Sequence, residues 1–167
     1  MAFANSSTIG ANLSGTSDGA TAQFAVNTMI EGSGASEWIY VQAGDALSTG
    51  SCVLVCTNGS AKGIVGGLTP NAGTNTAGAQ LAFAQGTFAT GDYGWVAKRG
   101  NGIYVRVSSV STIGGPLYNG VNTGNLTTAT ATCTVGGVSL ITCSATGVEA
   151  ACLAFVNWPR TVTTNLV

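Results

Sequence analysis

Six carboxylates, five cysteines and a single G-x-S-x-G match are the residues of this chain with chemistry in reach. The match, Gly15-Thr16-Ser17-Asp18-Gly19, has the spacing of a nucleophile elbow. That serine needs a strained strand-to-helix turn and a histidine to take its proton. The chain has no histidine, and the match sits in a Gly/Ser-rich stretch without helical or strand period, so it reads as chance. Asp18, Glu31, Glu37, Asp45, Asp92 and Glu149 stand singly. Glycoside hydrolysis needs two carboxylates facing each other across a sugar, one kept protonated by burial, and no spacing suggests such a pair. Asp45 ("AGDAL") and Asp92 ("TGDYG") each follow a glycine, where the side chain accepts from nearby backbone N–H groups and sets a turn. There is no calcium loop, dinucleotide fingerprint or P-loop in the sequence. Neither catalysis nor a cofactor is expected.

The cysteines are expected to be reduced core filler. Cys52 and Cys56 in "SCVLVC" share one face of a strand but lie about 13 Å apart, too far to bridge. Cys133, Cys143 and Cys152 form no CxxC pair, and without histidine a zinc site is not expected. Four N-x-[ST] sequons, at Asn5, Asn12, Asn58 and Asn125, are ordinary in a chain so rich in Asn and Thr.

Charge is scarce: five basic and six acidic residues in 167, or 7%, where about 25% is usual. Uncharged Ser, Thr, Asn and Gly must cover the surface, or neighbouring subunits must hide it. A net charge of −1 provides no footprint for nucleic acid, whose phosphates require several convergent cations. No cationic amphipathic segment points to a membrane surface, and no apolar run approaches the ~20 residues of a span. "MAFANSSTIG" has neither a basic n-region nor an apolar h-region, so synthesis in a cytoplasm is expected.

Stepping along the chain, residues 1–30 carry isolated apolar side chains, Phe3, Ile9, Leu13 and Phe24, and no sustained period. They read as a flexible attachment arm, with Phe3, Ile9 and Leu13 as its anchors. Residues 31–167 read as one all-β domain, an antiparallel sandwich or small barrel with Gly/Asn turns at regular intervals. Asn58-Gly59 predicts a hairpin pairing Val55 with Lys62 and Val53 with Ile64. "CVLVC" is apolar on both faces and so should be covered on both sides. "YGWVAK" and "IYVRV" flank "RGNG", which predicts a second hairpin turning at Gly100-Asn101 or Asn101-Gly102. Gly136-Gly137 predicts a third, and "EAACLAFVNW" a last strand, with helix as the alternative over 148–156. The loops at 68–80 and 114–128 are polar and turn-rich. Arg99, in the predicted turn, is a candidate contact residue.

Two stretches, "VQAGDALSTGSCVLVCTNGSAKGIV" and "TGDYGWVAKRGNGIYVRV", resemble the decoration (cement) proteins of tailed-bacteriophage capsids. Gly91, Tyr93, Gly94, Trp95, Val96 and Gly100 are the matching positions, and "CLAFVNWPR" is similar to that family's closing strand. The likeness covers roughly 38–107 and 148–160. It implies a β-barrel or tulip-like body, a homotrimer, and a place on the outer capsid surface of the virion. There the protein would bind the major capsid protein lattice and stabilise the expanded shell, with no catalytic group and no small-molecule substrate. The alternative is a phage fibre or adhesin module whose loops bind a receptor.

Overall fold

The computed structural model describes residues 13, 18–56, 58–63, 80–108, 111–119, 124–128, 133–142 and 149–163. The strands are β1 (Met29–Gly32), β2 (Ser36–Ala43), β3 (Cys52–Val55), β4 (Ser60–Gly63), β5 (Gln80–Ala84), β6 (Tyr93–Val107), β7 (Tyr118–Asn119), β8 (Leu126–Thr127), β9 (Cys133–Leu140) and β10 (Ala150–Thr163). Among the described residues there is one 3-10 turn, Ser33–Ala35, and no α-helix. The all-β class expected from the sequence is what the structure has. A parallel β2–β4 pair, followed by antiparallel β4–β3, β3–β5, β5–β6 and β6–β2, closes a five-stranded barrel. Outside it, β6 runs on to pair with β10, and β10 with β9.

Side-chain alternation divides the apolar residues into two cores. Ile39 and Val41, Val53 and Val55, Ala82 and Ala84, and Val96 fill the barrel, and Leu47 bridged to Phe88 joins the same cluster. Five strands enclose little space, which is why so many interior positions are alanine. The intervening residues, among them Trp38, Tyr40, Phe83 and Trp95, form the second core with the inward side chains of β6, β9 and β10. Both faces of β3 are therefore used: Cys52 joins the outer core while Val53 and Val55 join the inner one. Cys52, Cys56 and Cys152 are free thiols, and burial pushes the Cys52 thiol well above its usual range.

Three predicted hairpins come out differently. The first exists with its register moved by one residue: Val55 faces Ala61 and Val53 faces Gly63. Gly59, at φ 79°, closes it by donating to the Cys56 carbonyl, so the positive φ serves a longer loop than the two-residue turn. The predicted 93–107 hairpin is absent, because β6 passes through "RGNG" as one strand. Gly102, at φ 74°, is an extra residue between the Ile103–Ala154 and Asn101–Phe155 pairs. Its left-handed backbone makes a bulge where a turn was predicted. The predicted turn at Gly136-Gly137 is likewise absent: β9 runs straight through it. Opposite Gly137 the register of β10 slips between Val156 and Arg160. For residues 150–156 the strand reading holds and the helical alternative does not.

The predicted division at 30/31 falls inside β1, and residues 18–30 are packed on the barrel. Asp18 N–H donates to the Tyr93 carbonyl at 2.7 Å, and Tyr93 N–H to the Gly19 carbonyl at 2.9 Å. Phe24 makes edge contacts with Tyr40 and Trp95, both at 5.3 Å between ring centres. The Tyr40 hydroxyl donates to Asp18 Oδ2 at 2.7 Å and accepts from Gln23 N–H at 3.0 Å. Burial, with Asp18 adding to it, raises the Tyr40 phenol from 10.0 to about 12. The fold thus holds a proton that the unfolded chain loses near pH 10. The resulting stability is complete below pH 10 and disappears as pH rises through about 12. Urea midpoints measured from pH 8 to 12 should fall across that window, and Tyr40→Phe should remove much of the fall. At neutral pH the same substitution should cost about 1.5–3 kcal/mol, since it removes a hydrogen bond to a carboxylate.

Candidate interaction surface

One end of the barrel is polar. Gln80 lies on the same face of β5 as the interior residues Ala82 and Ala84, and Glu37 on the same face of β2 as Ile39 and Val41. Opposite Glu37 the β6 register shifts, so that Glu37 pairs with Arg99 and Trp38 with Ala97, leaving Lys98 as the extra residue. Lys98 is buried, and its ammonium donates to Gln80 Oε1. The ring of Trp158 covers it at 4.3 Å from Nζ to the ring centre. Burial lowers the Lys98 ammonium below the usual lysine value, and the Glu37 carboxylate opposes that. Trp158 has φ 48°, a conformation costing a non-glycine residue on the order of 1–3 kcal/mol. Gly137 permits it: a Cβ there would lie 2.5 Å from the Asn157 carbonyl oxygen and 3.1 Å from that of Trp158.

The second feature is the outer face of the β6–β10–β9 sheet. Val105, Cys152, Ala154 and Leu140 point into the core, so the residues between them point out. Tyr104 pairs with Leu153, and Ile141 N–H donates to the Leu153 carbonyl at 2.8 Å, which sets these three side by side across the strands. Phe155 follows on the same face of β10 and is 48% exposed; Tyr104 is 43% exposed. This is a contiguous apolar strip of the sort that marks an interaction site, with the Arg106–Glu149 ion pair alongside it. Beside Tyr104 opens a cleft of about 350 Å³, lined also by Leu13, Ser36, Trp38, Gln85 and Asn101.

Of the predicted contact residues, Phe3 and Ile9 lie outside the described residues. Leu13 is buried in this chain's own outer core, near Gly32 and beside Trp38 in the cleft. Arg99 is half-exposed and bonded to Glu37 at 3.0 Å. Arg99→Ala should cost less than about 1 kcal/mol in chemical denaturation, because the pair is partly solvated. The structure brings Arg99 to the barrel mouth, paired with Glu37. Sequence reasoning missed the grouping of Tyr104, Leu153, Phe155 and Ile141. A signal was present in "CLAFV", where small Cys152 and Ala154 alternate with large Leu153 and Phe155. Among the described residues no group of three or more His, Cys, Asp or Glu could hold a metal ion. Compared with protein-family models and with curated proteins, the chain matches none.

Proposed function

We propose that this is a non-enzymatic structural protein of a phage virion, a capsid decoration protein that binds the outer surface of the major capsid protein lattice and stabilises the expanded shell. The observation that carries the reading is the apolar strip of Tyr104, Leu153, Phe155 and Ile141, left open on the hydrogen-bonded β6–β10–β9 sheet. A sheet face presented this way loses little conformational entropy on docking, and aromatic side chains contribute large contact area for few rotatable bonds. The scarcity of charge fits a surface meant for broad burial against protein, and the resemblance of "TGDYGWVAKRGNGIYVRV" to capsid decoration proteins supports the choice of partner. Self-association as a homotrimer would raise avidity on the lattice without strong single contacts. Nucleic acid, membrane and small-molecule substrates have no part in this reading. The place of action is the capsid exterior after synthesis in the host cytoplasm.

The test is binding to expanded and unexpanded phage shells by co-sedimentation, with shell melting followed by calorimetry. Saturable, lattice-defined stoichiometry and a raised melting temperature support the reading. Indifference to shells at any concentration rejects it. The fibre or adhesin alternative rests on the cleft beside Tyr104, where an exposed ring adjoins the Asn101 amide. It predicts binding to cells or glycans with no shell binding.

A further inference from the structure

Lys98 carries a charge into a place where charge is costly. It is 1% exposed, and among the described residues its ammonium forms no ion pair. The nearby carboxylate, Glu37, is bonded to Arg99. An unpaired buried cation is strongly unfavourable unless it is neutralised or removed. What the ammonium does touch is a carboxamide: Nζ meets Oε1 of Gln80, one bond from the acyl carbon. Trp158 closes the other side of the amine, and its strained backbone is maintained opposite Gly137. Glu37 stands at the same barrel end, on the strand register that faces the Lys98 bulge. Gln80 itself is exposed, so a small leaving group at its amide nitrogen has a path to solvent.

We propose that Lys98 and Gln80 join covalently, the lysine amine displacing ammonia from the glutamine side chain to leave an isopeptide bond between β6 and β5. For the reaction Glu37 must turn from Arg99 to the ammonium, and it then takes one of its protons. The neutral amine adds to Cδ of Gln80, and a second proton passes from Nζ to Nε2 with Glu37 as relay. The Cδ–Nε2 bond breaks and the nitrogen departs as ammonia, which takes up the first proton. One N–H remains on the new amide. Nothing is oxidised or reduced, and no co-reactant is needed. The product replaces a buried cation with a neutral amide and staples two adjacent strands where the barrel opens.

Tryptic mapping with mass spectrometry of the purified full chain tests this. Trypsin does not cleave after an acylated lysine, so the joined protein should release residues 63–99 as one internally closed peptide, lighter by about 17 Da for the lost ammonia. Fragment ions from breaks between Gln80 and Lys98 should be missing. That peptide contains neither Asn58-Gly59 nor Asn101-Gly102, whose succinimides also lose ammonia. Insensitivity to hydroxylamine separates the two chemistries again. Lys98→Arg and Gln80→Ala should each restore the full mass. Glu37→Gln should leave most of the protein unjoined, and a Glu37→Gln protein joined as fully as wild type overturns the relay. Wild-type protein that releases residues 63–98 at full mass overturns the bond. These readouts use the isolated protein, so a failure here leaves the capsid reading standing, and the reverse also holds.

Discussion

Gly137→Val should lower the stability of the protein by roughly 2–5 kcal/mol, combining left-handed backbone strain with overpacking against atoms that cannot retreat. Gly137 has φ 81°, and a side chain there would meet the backbone of Asn157, Trp158 and Pro159. Those residues form the bulge of β10, so the clash can be relieved only by opening the β9–β10 ladder. The comparison is Gly91→Ala. Gly91 has φ 93° but open space in front of it, so the cost should be about 1–2 kcal/mol from backbone strain. Urea or guanidinium unfolding of both variants separates strain from collision. Equal losses in the two would show that β10 can retreat from Gly137. The Trp158 indole fluorescence should also change in Gly137→Val, because the bulge that sets the ring over Lys98 is the part displaced.

The second large effect concerns binding. Tyr104→Glu combined with Phe155→Glu should weaken attachment to expanded shells by at least about 30-fold, the loss expected when an interface anchor worth about 2 kcal/mol is removed. Each side chain is about half exposed on the outer face, so folding should change by no more than about 1 kcal/mol. Calorimetry of the free variant and co-sedimentation with shells divide the two contributions. Retained binding would move the contact surface elsewhere, most directly to the cleft or the barrel mouth. A control substitution outside the strip, such as Asp45→Asn, should leave shell binding unchanged.

The barrel mouth and the strip do different work in this picture. The strip is a flat apolar face on the sheet formed by β6, β10 and β9, suited to protein contact. The mouth is a small polar plug in which Lys98, Gln80 and Trp158 close the end of the barrel. A covalent staple at that position would resist separation of β5 from β6 under load, where only two residue pairs, Phe83–Ala97 and Ala84–Val96, connect them.

The sequence alone determined the class of the fold and the face pattern of its strands. β-branched and aromatic residues at alternate positions, with glycine between runs, leave an all-β body as the outcome. "CVLVC" announced its burial on two sides because both of its faces are apolar. Those properties are local: they follow from side-chain period and propensity, and neighbours do not alter them. What the glycines were for was decided only in three dimensions. Gly102 and Gly137 have the positive φ that a turn residue needs, and from sequence a turn and a bulge present the same requirement. The choice was made by partners distant along the chain. β10 offers a continuous edge to both β6 and β9, so carrying each strand through its glycines keeps more ladder hydrogen bonds than folding it back would. The same long-range pairing grouped Tyr104 with Leu153 and placed Lys98 beneath Trp158, sixty residues away. No local pattern encodes such neighbours, because they exist only once the barrel has closed.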